Sequence, residues 1–203
     1  MKLMGSDTMR AVARRAEAGE ALGRDAGAVA DVCHQMARRF QRGGKLMVFG
    51  NGTSATDAAH IAVEFVHPVI VGKRALPAMS LANDAATVTG VARAEDFNDI
   101  FAAQLRLLAQ PGDIALGLSP DGRCRNVLRA LEEAHERGLL TVALVGGDGG
   151  DIARSNAMDH LLVAASTDPL VVKEVHVTTY HILWELVHVF FEQPGLLDPE
   201  ETR

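Results

Sequence analysis

Two cysteines in 203 residues, Cys33 and Cys124, form neither a CxxC pair nor the framework of a secreted disulfide domain. No stretch approaches the ~20 consecutive apolar residues that a membrane-crossing helix needs. The amino-terminal segment MKLMGSDTMRAVARRAEAGE turns charged too early to hold the apolar region of a secretory signal. No linker, repeat or low-complexity tract divides the chain. Lysine is scarce, and the 20 cations are outnumbered by 26 acidic residues, giving a formal charge of −6 and a pI near 5.7. Without a basic run, that balance gives no support to a DNA- or RNA-coating role. These absences predict a cytoplasmic protein with no nucleic-acid and no membrane partner. What the chain does have is apolar content. At 48% hydrophobic and 23% charged residues it can build one core of ordinary domain size, which excludes disorder as its main state.

The first forty-odd residues read as helix, with Val29, Val32, Cys33, Met36, Ala37 and Phe40 on one stripe. Gly19, Gly23 and Gly27 weaken the middle of that segment, so a break is expected there. After Gly43-Gly44 the pattern changes. Short runs apolar on both parities, Leu46–Phe49, Leu76–Leu81, Ile114–Leu118, Thr141–Val145 and His160–Ala164, alternate with helical stretches at 54–66, 95–109, 123–137 and 150–156. A last helix begins near Pro169 and continues to about Glu192. Strands buried on both faces and joined by helices predict a parallel sheet with right-handed crossovers. The expected organisation is a single domain over 1–203, with a helical segment at 1–42, an αβα core at 43–193 and a tail at 194–203. The last helix is apolar almost all the way round, so it needs cover on more than one side, either inside the domain or from another subunit.

Three turns between strand and helix could bind a ligand. In Val48-Phe49-Gly50-Asn51-Gly52-Thr53-Ser54 a strand ends in glycines and a helix starts at once, which aims free N–H groups and the positive helix end at an anion. It is neither a Walker loop nor a complete dinucleotide fingerprint, and an ordinary turn using glycine for a positive φ remains the other reading. Ser119-Pro120-Asp121-Gly122-Arg123-Cys124 is a second such turn, with Ser119 and Arg123 able to engage phosphate and Asp121 placed to repel it. Gly146-Gly147-Asp148-Gly149-Gly150 is the third. Ligands of open α/β sheets gather at the carboxyl ends of the strands, so these turns can share one pocket. His60 and Glu64 stand at i, i+4, a spacing that suits two metal ligands, a proton-transfer pair or a plain surface pair. The last helix adds Glu174, His176, His181, Glu185 and His188, of which His176 and His188 read as structural.

These residues resemble the SIS sugar-phosphate-binding domains, and among them the phosphoheptose isomerase family. The likeness spans about residues 30–193 and is carried by GNGTSATDAAHIAVEF (50–65), LPAMSLANDAATVTGVA (76–92), PGDIALGLSPDGRCRNVLRALEEAHERG (111–138), TVALVGGDGGDIA (141–153) and KEVHVTTYHILWELV (173–187). The resemblance implies a three-layer αβα sandwich around a five-stranded parallel sheet, assembled as a homotetramer with active sites between subunits. It implies interconversion of sedoheptulose 7-phosphate and an aldoheptose 7-phosphate through an enediol. Glu64 and His181 take the places of the family's catalytic base and acid, and His60, Glu64 and His181 the places of its zinc ligands. Asn51, Gly52, Thr53, Ser54, Asn83, Asp84, Ser119, Asp121, Arg123 and Lys173 are the implied substrate-binding set.

The second turn departs from the family's Ser-Thr-Ser-Gly-Asn-Ser: two phosphate-facing hydroxyls are lost and the Asp121 carboxylate appears, unfavourable beside a phosphate unless Arg123 offsets it. The family's metal-binding Gln is Lys173 here, and a protonated ammonium ligates no metal. The sequence therefore predicts weakened or absent zinc, with Lys173 paired to Glu64 in the metal's place. The alternative is zinc on His60, Glu64 and His181 plus water. The competing function is a non-catalytic SIS module that binds a sugar phosphate or a replication initiator; the retained Glu64 and His181 oppose it.

Overall fold

The computed structural model describes residues 2–197. Helices α1 (Lys2–Arg24) and α2 (Ala26–Gln41) precede β1 (Leu46–Gly50), α3 (Thr53–Val66), β2 (Ala78–Ser80), α4 (Ala85–Ala94) and α5 (Ala102–Leu108). Then follow β3 (Ile114–Ser119), α6 (Arg125–Glu136), β4 (Leu140–Gly146), α7 (Gly150–Arg154), β5 (His160–Ala164) and α8 (Pro169–Glu192). The five strands are parallel in the order β2-β1-β3-β4-β5. Strand order reverses between β1 and β3, and the turns after those two strands border that crevice. No described helix is long and apolar enough to cross a membrane.

Alternation along the strands builds two cores, one on each face. Leu46 and Val48 pack with α2, α3 and α8, whereas Met47 and Phe49 pack with Phe101, Leu105, Val127 and Leu131 on the other side. All residues of β1, β3 and β4 are buried, as both-parity apolar strands require. The αβα sandwich is thus the expected one.

The amino-terminal helix breaks at Asp25, within the glycine-weakened stretch. The strand expected over Leu76–Leu81 is confined to Ala78–Ser80, since the Leu76 N–H goes to the Phe65 carbonyl. The helix expected at 95–109 is a short 3₁₀ turn at Phe97–Asp99 followed by α5, with Asp96 capping the turn. Helix α4 was not anticipated. Its Thr87-Val88-Thr89-Gly90 run is poor in helix formers, and the Asp84 cap helps to start it. The all-round apolar α8 finds most of its cover inside the chain. Its buried face packs on α2, α3 and the sheet, and α1 covers Val171 and Val175 through Ala18 and Leu22. Arg14–Asp168 and Arg15–Glu174 ion pairs tie α1 to the start of α8.

Candidate active site

The carboxyl ends of β1 and β3 are joined by a reciprocal amide pair. Asn51 donates to Asn126 at 2.8 Å and Asn126 returns a bond at 2.9 Å. Gly50 is required there, because a Cβ would lie 2.7 Å from the Ser54 Cβ and 2.9 Å from the Leu118 carbonyl oxygen. Gly52 has a positive φ of 55°, which starts α3 directly at Thr53 and leaves Ser54 buried in its first turn.

In the second turn the donors are taken up internally. Asp121 accepts the Arg123 N–H at 3.0 Å and a long contact from the buried Ser119 hydroxyl at 3.5 Å. The Arg123 guanidinium, expected to offset Asp121, reaches the Asp121 backbone carbonyl and both carboxylate oxygens of Asp148 at 2.8–2.9 Å. Bonds from the Gly150 N–H and Arg123 hold the Asp148 carboxyl below its usual range. Gly122 packs so closely on Gly149 that a Cβ would meet its carbonyl at 1.9 Å, so the second and third turns interlock. Asn83 is exposed beyond the end of β2. Asp84 caps α4, and its bonds from the Thr87 hydroxyl and N–H and from the Ala86 N–H lower its carboxyl pKa.

Farther along α3 the structure brings together the three residues implied as zinc ligands. Glu64 Oε1 lies 3.3 Å from His60 Nε2 and 3.4 Å from His181 Nε2. The three ligand atoms all fall within 4.8 Å of one another, the one such His/Cys/Asp/Glu group among the described residues. Glu64 is nearly buried at 9% exposure, while both imidazoles face outward. Trp184 donates its indole N–H to the Glu64 backbone carbonyl at 2.9 Å, locking α3 against α8 at this level. A cavity of about 310 Å³ opens beside Glu64 and His181, walled by Val69, Ile70 and Trp184.

Lys173 does not pair with Glu64. Its ammonium donates to the Thr53 carbonyl at 2.9 Å and lies 2.5 Å from Asp57 Oδ1, one helical turn before His60. The reason is reach: Lys173 lies about two turns before His181 on α8 and therefore meets the start of α3. His176 and His188 are structural as expected. His176 bonds the Val145 carbonyl, and burial lowers its pKa; the nitrogens of His188 reach the carbonyls of Trp184 and Arg74. Cys33 is no nucleophile, since burial pushes its thiol up to about 12.

Sequence reasoning missed Asp57 and Tyr180. The buried Tyr180 hydroxyl sits 2.9 Å from His60 Nδ1, and burial together with nearby Asp57 and Glu64 raises its pKa. Asp57 was findable: it stands at i−3 from His60, and Asp57, His60 and Glu64 share one helix face.

Residues 9–146 match the SIS domain family. The chain is 40% identical to the phosphoheptose isomerase of Thermodesulfovibrio yellowstonii over 82% of its own length and 83% of the relative's. It is 42% identical to that of Pelobacter propionicus over 78% and 83% of the two lengths. The solved phosphoheptose isomerase from Neisseria gonorrhoeae superposes with a TM-score of 0.82 at 27% identity, covering 91% of this chain and 98% of that one. On this family match and these identities and coverages, the chain belongs to the SIS-domain family, among its phosphoheptose isomerases.

Proposed function

We propose that the protein interconverts sedoheptulose 7-phosphate and an aldoheptose 7-phosphate through an enediol, with Glu64 as base and His181 as acid. The observation that carries this reading is the convergence of Glu64 Oε1 with the Nε2 atoms of His60 and His181. Glu64 takes the proton from the carbon beside the carbonyl while His181 protonates the carbonyl oxygen. Glu64 then returns its proton to the former carbonyl carbon while the hydroxyl on the adjacent carbon gives its proton to His181, which forms the new carbonyl and restores both groups. The nearly buried carboxylate and the outward-facing imidazole suit those two roles.

Thr53 and His60 are seven residues apart, about 10 Å along the helix axis. A seven-carbon chain can therefore place its phosphate at the Asn51–Ser54 turn and its carbonyl beside Glu64. Lys173 lies between the two and, with its charge balanced by Asp57, serves as a hydrogen-bond donor to the sugar. The residues fit a zinc ion, since two imidazole nitrogens and a carboxylate are the donor set of a catalytic site with an open position. His60, Glu64 and His181 would hold it, and it would polarise the carbonyl and stabilise the enediolate oxygen.

A homotetramer in the cytoplasm completes the proposal. In its support, Val63, Val66, Val69, Ile70 and Val71 are exposed apolar residues, and Val69 and Ile70 wall the cavity at Glu64. The second turn favours a related substrate as a second reading, because Asp121 and the Arg123–Asp148 pair take up its donors. Incubation with sedoheptulose 7-phosphate, with and without zinc, tests both. Formation of an aldoheptose phosphate is expected; binding without turnover under both conditions would favour the non-catalytic module.

A further inference from the structure

A cavity of about 710 Å³ lies at the amino ends of β1 and β3, whereas the Asn51–Ser54 and Ser119–Arg123 turns follow the carboxyl ends of the same strands. Its walls are the last turns of α2 and the loops that enter the two strands, at 42–44 and 110–113. None of its residues lines the cavity beside Glu64 and His181. The two loops meet backbone to backbone. A Cβ on Gly44 would lie 2.5 Å from the Gly112 carbonyl oxygen and 3.0 Å from that of Arg39. The cleft is therefore formed before any ligand arrives.

Three guanidiniums line it, those of Arg38, Arg39 and Arg42. The carboxylate that shares the wall, Asp113, is 4% exposed and already engaged. It accepts the Lys45 N–H at 2.9 Å and the Gln110 N–H at 2.8 Å, and the Lys45 ammonium cancels its charge at 2.5 Å. Arg39 gives one bond to the Gly138 carbonyl at 3.2 Å. Among the described residues the Arg38 and Arg42 guanidiniums make no hydrogen bond or ion pair, and Arg38 Nε is buried without an acceptor. Elsewhere in this acidic chain, Arg14, Arg15, Arg106, Arg123, Arg129 and Arg137 all pair with carboxylates. The helix dipole accounts for basic residues in the last turn of α2. It accounts neither for Arg42 beyond the helix nor for a buried N–H left unsatisfied.

We propose that this cleft is a second ligand site, which binds a small metabolite through a diphosphate group held by Arg38 and Arg42 and flanked by Arg39. A guanidinium presents paired N–H groups that match the oxygens of one phosphate, so two of them suit two linked phosphates. The charge of the ligand offsets three cations that the fold otherwise leaves unbalanced, and the volume is that of an ordinary small-molecule site. The site is independent of the isomerase chemistry.

Pyrophosphate titrated calorimetrically into the metal-free, full-length protein at low ionic strength tests it. Saturable binding of one pyrophosphate per chain is expected, tighter than that of inorganic phosphate. Arg38→Gln combined with Arg42→Gln should weaken it about 100-fold, roughly tenfold for each charge-assisted contact. Thr53→Asp, which sets a carboxylate in the catalytic turn, should leave the affinity unchanged. Absence of saturable binding, equal affinities for phosphate and pyrophosphate, or an unaltered affinity in the double variant would overturn the proposal. So would a loss of binding in Thr53→Asp, which would place the pyrophosphate at the catalytic turn. Should the double variant fail to fold, Arg42→Glu changes only an exposed residue. It should weaken binding at least about tenfold, and an unchanged affinity there would likewise overturn the proposal.

Discussion

Lys173 Nζ lies 2.5 Å from Asp57 Oδ1, so the cation at the family's glutamine position is neutralised one turn before the His60–Glu64 pair. An ammonium held there leaves His60, Glu64 and His181 free to take up a metal ion. Metal analysis of the purified protein should find one zinc per subunit, and Lys173→Gln should not raise that content. Metal-free wild type that gains zinc on Lys173→Gln would show that the ammonium competes with the metal. The same substitution leaves Asp57 buried without its cation. Breaking a buried pair costs about 3–5 kcal/mol. Because the lysine side chain is 33% exposed, about 1–3 kcal/mol is expected after allowance for solvent screening. Urea melts measure the loss, and adding Asp57→Asn should recover most of it.

Glu64→Gln keeps the shape of the side chain and removes the proposed base, and His181→Ala removes the proposed acid. Each should lower turnover by about 10²–10⁴-fold. Circular dichroism should stay unchanged, since Trp184 grips the Glu64 backbone rather than its carboxylate. Turnover near wild type in either variant would move the proton chemistry to other residues.

Val71 is fully exposed and Val69 is 75% exposed, beside the cavity at Glu64 and His181. Light scattering at micromolar concentration should report a tetramer. Val69→Glu together with Val71→Glu should shift it to smaller species and reduce turnover, because the same loop walls the site. A stable wild-type monomer with full activity would remove the basis for a shared site.

The sheet was legible because β1, β3 and β4 are apolar on both parities, a pattern that survives without knowledge of the tertiary fold. Helix α4 was hidden because its Thr-Val-Thr-Gly run opposes helix formation locally, while its half-buried Val88 and Val91 pack on the second core. His60 and Glu64 were visible as a helical pair, whereas joining them to His181 took the family resemblance. Neither gave the direction of Lys173. Four flexible carbons place its ammonium, and the winning partner was the buried Asp57, a residue whose importance appears only when α3 and α8 are packed together.

Asp121 places a carboxylate on the Arg123 N–H and beside the Ser119 hydroxyl, groups that a phosphate would otherwise use. Arg123 does not compensate, being drawn to Asp148. Asp121→Ser should therefore lower the KM for sedoheptulose 7-phosphate about tenfold, the equivalent of roughly one charge-assisted contact, with little change in kcat. A raised KM would mean that Asp121 binds the substrate, through a sugar hydroxyl.

The buried His176 gives the fold a defined response to acid. Burial holds its folded-state pKa below the ordinary 6.5, although the Val145 carbonyl bond and Asp57 pull the other way. At pH above about 6.5 the ring is neutral in both folded and unfolded chains, so it adds no pH dependence. As the pH falls below that value, the unfolded chain takes up a proton that the folded one resists. The unfolded state then binds more protons, and stability declines with falling pH until the folded pKa is reached. Half-buried His160, also lowered chiefly by burial, acts in the same direction. Urea melts across pH 7 to 5 should show this decline for wild type. His176→Gln, whose amide can still donate to Val145, should flatten the slope. An equal slope in the variant would assign the acid sensitivity to groups other than His176.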